Sequence, residues 1–227
     1  MRTQINTIRD RIQSAALAAG RSPETVRLVA VSKTVPAERV RQAVEAGITL
    51  LGENYIQEAR DKIETLAALD VAWHFIGHLQ SNKAKYAVRL FDMVHSVDSP
   101  KLARELDKQA AKIGKRQDIL IQVNTGKEAS KSGVYEEEAL ALVRQAGRME
   151  NLCVKGLMTL PPYFNAPEKV RPFFRALREL RDRIRDEALP GVSMEELSMG
   201  MTGDFEAAIQ EGATLVRIGT ALFGERQ

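Results

Sequence analysis

Apolar runs of strand length alternate along this chain with segments whose apolar residues recur every three to four positions. Runs at 26–32, 49–51, 72–77, 93–96, 119–124, 152–157, 196–199 and 215–218 predict eight strands. Helical periodicity predicts helices over 36–45, which opens with Pro36 at its first turn, and over 53–66, 100–112, 136–148, 167–185 and 205–210. The signal around 82–88 is weaker, and one further helix, over 3–19, precedes every strand.

Strict alternation of this kind requires a parallel sheet, because parallel neighbours need a long crossover and a helix both supplies it and covers the sheet face. Eight repeats with no linker and no change of composition favour a single closed (β/α)8 TIM barrel, an α/β fold, spanning residues 1–227 as one domain with the first helix as an extra element outside it. An open doubly wound sheet is the alternative.

Composition narrows the function class. The chain has 227 residues, 44% of them hydrophobic, enough to bury one large core. Lys and Arg exceed Asp and Glu by 33 to 30, and the basic residues are dispersed, so no nucleic-acid partner is indicated. The densest basic stretch, 171–185, is interleaved with Leu177, Glu179 and Asp182 in the manner of a solvated helix face. Cys153 is the only cysteine, which excludes an intrachain disulfide and a cysteine-rich metal framework. No stretch approaches the roughly 18 apolar residues of a membrane span, and the N-terminus is amphipathic rather than signal-like. A cytoplasmic protein, without a membrane or nucleic-acid partner, is expected.

Barrel active sites lie at the C-terminal ends of the strands. Those ends deliver Lys33, then Gly52, Glu53, Asn54 and Tyr55, then His78, Ser96 and Asp98, Asn124, Met158, the group Ser198, Gly200 and Thr202, and finally Arg217, Gly219 and Thr220. The segments SMGMTGD and RIGTALFG bring flexible backbone and hydroxyls to the last two loops, where barrels frequently hold a phosphate. Neither GxGxxG nor GxxxxGK[ST] occurs. Strand eight of a closed barrel pairs with strand one, so Lys33 would neighbour that phosphate cradle. Lys33 is then either a solvated charge at a strand end or an amine whose pKa is depressed by desolvation and by Arg217, suited to a phosphorylated aldehyde. His74 and His78 do not form a metal motif in a strand, and no metal is expected. His95 reads as a satisfied core residue, Cys153 as buried and inert, and Glu53 as a favourable charge in the first turn of a helix.

AVSKTVP, GENYIQEA, WHFIGHLQSNK, HSVDS, QVN, KSG, GLM, LSMGMTGDFEAAI and VRIGTALFG closely resemble, in order and spacing, the pyridoxal 5′-phosphate homeostasis protein family over nearly the whole chain. The resemblance implies a fold-type III barrel like the N-terminal domain of alanine racemase, with pyridoxal phosphate (PLP) as cofactor. Position by position it implies a Schiff base on Lys33, Asn54 beside the ring, Arg217 facing the pyridine nitrogen, and Ser198, Gly200, Met201, Gly219 and Thr220 around the phosphate. An arginine is always protonated and cannot support a pyridinium as a carboxylate does, so the ring is a poorer electron sink. Leu51 and Thr202 depart from the family's usual Phe and Ser. Racemases of this fold take a second base from a further C-terminal domain, and this chain ends at Gln227 just after strand eight. The expectation is therefore a monomeric, non-enzymatic PLP carrier, with no catalytic residue and with apo-PLP enzymes as recipients. A racemase-like enzyme, with Tyr55 or His78 as second base, is the alternative from the same fold. A regulator acting through protein contacts is a third reading.

Overall fold

Strands β1 (Arg27–Val31), β2 (Leu50–Glu53), β3 (Ala72–Phe75), β4 (Met93–Val97), β5 (Gln117–Val123), β6 (Leu152–Thr159), β7 (Val192–Ser198) and β8 (Leu215–Ile218) follow one another, all parallel, around a closed barrel. They belong to a computed structural model that describes residues 1–164 and 166–224. β8 closes on β1 with Arg217 opposite Val29 and Ile218 opposite Ala30, which excludes the open sheet. Helices α2 (Ala37–Glu45), α3 (Ile56–Thr65), α4 (Ala84–Leu90), α5 (Pro100–Ala111), α6 (Glu136–Gly147), α7 (Arg171–Asp186), α8 (Phe205–Gln210) and α9 (Thr220–Phe223) follow the strands in turn, and α1 (Arg2–Ala18) precedes them. No described helix is long and apolar enough to cross a membrane.

The two faces of each strand serve different layers, because side chains alternate along a strand. Val94, Leu157, Val216 and Ile218 point to the layer between barrel and helices. Val29, Leu50, Met93, Leu120, Met158 and Leu215 instead fill the barrel interior. Two residues beyond Met93 and Leu215 on the same strand faces come His95 and Arg217, so a polar layer sits above an apolar plug.

α1 buries Ile5, Ile8, Ile12, Ala15 and Ala16, a stripe at helical spacing, and packs on α8 and α9. Arg11 lies 4.6 Å from the Phe205 ring centroid and pairs with Glu206. The extra helix therefore braces the last two strand–helix units from outside.

Departures from the sequence reading have local causes. β7 begins at Val192, four residues before the expected 196, because a bulge intervenes: Met194 has φ of 52° and the pairing with β6 shifts between Val154 and Gly156. The helix expected from 167 starts at Arg171 after a 3₁₀ turn, Pro167–Lys169, since Pro172 has no N–H and suits only a first turn. Glu53 is the last residue of β2 and not part of a helix, and α3 starts only at Ile56. Cys153 is partly exposed rather than buried, on the strand face it shares with Lys155. In the basic stretch, Arg171, Arg175 and Arg178 converge on the buried carboxylate of Glu211, so this part is pinned and not freely solvated.

Candidate functional site

Lys33 stands two residues past the end of β1, half-buried, immediately before Thr34 at a φ of 63°. The left-handed region is unfavourable for a β-branched residue, so the chain is held in a sharp turn at this point. Lys33 shares a cavity of about 270 Å³ with Val31, Thr34, Gly219, Thr220 and Phe223. The closeness follows from barrel closure: Gly219 directly follows Ile218, the last residue paired with β1, and a Cβ on it would lie 3.2 Å from the Val31 carbonyl oxygen.

The other half of the site is a chain of hydrogen bonds inside the barrel. Arg217 donates through Nη1 to the Ser198 hydroxyl at 2.5 Å and through Nη2 to the Thr159 carbonyl at 2.8 Å. Ser198 Oγ also lies 2.9 Å from His95 Nδ1, and His95 Nε2 lies 2.9 Å from His74 Nδ1. The side chains of Arg217, Ser198, His95 and His74 are all buried. Burial, aided by Arg27, holds His74 down to about 3, and burial followed by His74 and Arg217 holds His95 well below the usual imidazole range. Both rings are therefore neutral at pH 7, and the only charge in this hydrogen-bonded row is the guanidinium. Burial lowers Arg217 to about 10, opposed by the Asp204 carboxylate, which leaves it protonated.

Between β7 and α8 the backbone turns back on itself. Gly200 has φ of 90°, its carbonyl accepts from the Arg217 N–H at 3.0 Å, and a Cβ there would meet Ala208 Cβ at 2.6 Å. Met201 is at the surface, with its N–H donated to Asp204 Oδ1 at 2.6 Å. Asp204 thus ties the loop together and faces Arg217 electrostatically, while burial raises its pKa.

Of the eight residues implied at the cofactor, Lys33, Gly219 and Thr220 line one cavity. Arg217 and Ser198 are joined to each other, with Gly200 linked to Arg217 and Met201 following it in the loop. Asn54 and Lys33 each lie two residues beyond the paired Gly52 and Val31, at the same level of the barrel. Asn54 Oδ1 is buried without a hydrogen-bond partner among the described residues. Asn54 also lines a separate cavity of about 390 Å³ together with Tyr55 and His78. Ser198 presents no idle hydroxyl: its oxygen is engaged by Arg217 and His95.

His74 as a partner of His95, and Thr159 and Asp204 as partners of Arg217, were not singled out from sequence. Only the third left a signal, as an acidic residue closing the glycine-rich SMGMTGD loop. Among the described residues no group of three or more His, Cys, Asp or Glu side chains is placed to hold a metal ion.

The family model described as alanine racemase, N-terminal domain, matches residues 4–227. A pyridoxal phosphate homeostasis protein of Aquifex aeolicus is 48% identical over 224 residues, covering 99% of this chain and 97% of its own length. One from Pseudomonas aeruginosa is 47% identical over 216 residues, 95% of this chain and 91% of its own. Among solved structures, PipY of Synechococcus elongatus with PLP bound aligns at a TM-score of 0.83 and 37% identity, over 96% of this chain and 100% of its own. An alanine racemase of Clostridium difficile aligns at a TM-score of 0.76 over 99% of this chain and 56% of the racemase, but at 14% identity that likeness concerns the fold alone.

Proposed function

The chain belongs to the alanine racemase N-terminal-domain family and, within it, to the pyridoxal phosphate homeostasis proteins, and on that premise we propose that it is a PLP carrier that holds the cofactor at Lys33. The observation that carries this reading is that Lys33 shares a single cavity with Gly219 and Thr220, so an amine and the glycine-flanked end of the barrel face one space. PLP supplies an aldehyde to which a lysine amine can be joined with loss of water. This chain's residues then have separable tasks. Lys33 provides the amine, Asn54 offers a buried acceptor without a partner among the described residues at the same level, and the loops carrying Gly200, Met201, Gly219 and Thr220 admit an anion close to backbone. Arg217 keeps a fixed positive charge where it would face the pyridine nitrogen, and as a donor only it takes no proton from the ring.

That charge supports holding over turnover. With neutral histidines behind it, and with Ser198 and Thr159 rather than a carboxylate as its hydrogen-bond partners, Arg217 does not favour electron withdrawal into the ring. Tyr55 and His78, the candidate second bases, line a cavity together with Asn54. Residues 1–227 act in this reading as one PLP-binding domain, monomeric and intracellular, which keeps the cofactor available to apo-PLP enzymes.

The test compares transfer with turnover. Loaded protein incubated with an apo-PLP enzyme should restore that enzyme's activity. Incubation with single amino acids should leave their optical rotation unchanged. Sustained loss of optical activity would instead establish the racemase-like alternative.

A further inference from the structure

The two residues that flank Lys33 are both tied to one buried ion cluster that the cofactor reading leaves unused. Lys62, on α3, is 7% exposed at its side chain and donates to Glu53 Oε1 at 2.7 Å, to Glu58 Oε1 at 2.6 Å and to the Ser32 carbonyl at 2.5 Å. An ammonium has three hydrogens, so each has one acceptor. The Ser32 hydroxyl donates to the same Glu53 oxygen at 2.6 Å. On the far side of Lys33, the Thr34 N–H donates to Glu58 Oε1 at 2.5 Å. Position 32 is thus held through its carbonyl and hydroxyl, position 34 through its amide, and the intervening lysine is set between two fixed points.

Stability alone is a poor reason for such a cluster. Glu53 is fully buried, and a buried ammonium with two carboxylates gains little over apolar packing of the same volume once desolvation is counted. The conformation it holds is also costly, since Thr34 is β-branched and sits at φ of 63°. Strain maintained by buried charge beside a half-buried amine at a cavity is the arrangement expected where an atom must be aimed.

We propose that Lys62, Glu53 and Glu58 are positioning residues for Lys33, fixing the turn at 32–34 so that its amine is presented to the cofactor's carbonyl carbon. The inference rests on the carrier reading and deepens it. Spacing supports it: Glu58 and Lys62 are one helical turn apart on α3, and Glu53 ends the strand that pairs with β1. The cluster therefore couples α3, β2 and the β1 turn, and none of its three members is required to touch the cofactor.

Glu58 is the tractable member, because its side chain is 27% exposed and its loss leaves Lys62 paired with buried Glu53. Three variants separate positioning from folding: Glu58→Ala, Glu58→Gln, and Glu58→Ala combined with Thr34→Gly. PLP would be mixed with each protein between about pH 6 and pH 10, formation of the lysine-linked chromophore followed by absorbance, and Lys33 verified by borohydride reduction and peptide mapping. Glu58→Ala should slow the reaction about tenfold or more and alter its pH profile, with its melting temperature close to wild type. Glu58→Gln keeps an oxygen for the Thr34 N–H and should retain most of the rate. The added Thr34→Gly needs no clamp to reach the left-handed region and should recover most of what Glu58→Ala loses. In the ligand-free protein, hydrogen exchange at the Thr34 amide should accelerate in Glu58→Ala. A wild-type rate, pH profile and exchange in Glu58→Ala would overturn the positioning role while leaving the carrier reading intact. So would a loss that is equally severe in Glu58→Gln and is not repaired by adding Thr34→Gly. Absence of a borohydride-stable adduct on Lys33 in the wild type would overturn both.

Discussion

The Arg217 guanidinium on β8 is held by the Ser198 hydroxyl on β7, Nη1 to Oγ at 2.5 Å, with both side chains buried. Ser198 is thereby the joint between the guanidinium charge in the barrel interior and the neutral histidine pair behind it. Ser198→Ala removes an acceptor from a buried charged donor and a partner from His95, which should cost about 1–3 kcal/mol. At roughly 2–4 °C per kcal/mol for a chain of this size, a melting-temperature drop of several degrees checks it. PLP affinity should fall in the same variant, because the guanidinium loses its anchor.

Arg217→Gln removes the charge proposed to face the cofactor ring and keeps polar contact with the Ser198 side. Absorbance of the bound cofactor should shift relative to wild type, since the ring nitrogen no longer faces a fixed cation. An unchanged spectrum would place Arg217 away from the ring.

Acid should weaken the fold before most carboxylates titrate. His74 is held to about 3 by burial and by Arg27, against about 6.5 when unfolded. Between those values the unfolded chain takes up a proton that the native chain refuses, so stability is full above about pH 6.5 and is lost as pH falls toward 3. The slope is up to about 1.4 kcal/mol per pH unit for each histidine, and His95 is shifted in the same direction. Urea midpoints measured between about pH 7 and pH 5 should fall steadily in the wild type, and the slope should be shallower in His74→Asn.

Gly200 and Gly114 offer a controlled comparison. Both have positive φ, 90° and 63°, but a Cβ at 200 would sit 2.6 Å from Ala208 Cβ, while at 114 nothing lies within 4 Å. Gly114→Ala should cost about 1 kcal/mol from backbone strain alone. Gly200→Ala adds a clash that moves the β7–α8 loop, so its melting temperature should fall further and PLP binding should weaken with it.

The barrel was legible because parallel strands buried on both faces leave continuous apolar runs such as Leu28 to Val31, and because helical periodicity recurs between the strands, weakening only around 82–88. Lys33, Gly219 and Thr220 were found at one cavity by a rule of topology: strand ends on one rim, and strand eight beside strand one. What sequence left hidden were pairings across the interior. Glu53 followed an apolar run and preceded a helix, so it read as a helix-start charge; only the phase of α3 brings Lys62 back onto it. His95 was read correctly as a satisfied core residue, yet nothing in the chain named Ser198, 103 positions away, as its partner. The start of β7 was obscured by the bulge at Met194, where the strand's alternation breaks.

In the proposed carrier, a covalent bond joins PLP to the side-chain nitrogen of Lys33. Borohydride reduction of PLP-loaded protein, followed by proteolysis and mass spectrometry, tests it most directly. One phosphopyridoxyl group is expected on the peptide containing Lys33, and none there in Lys33→Ala. A reduced adduct distributed over surface lysines, or one confined to any other lysine, would contradict it.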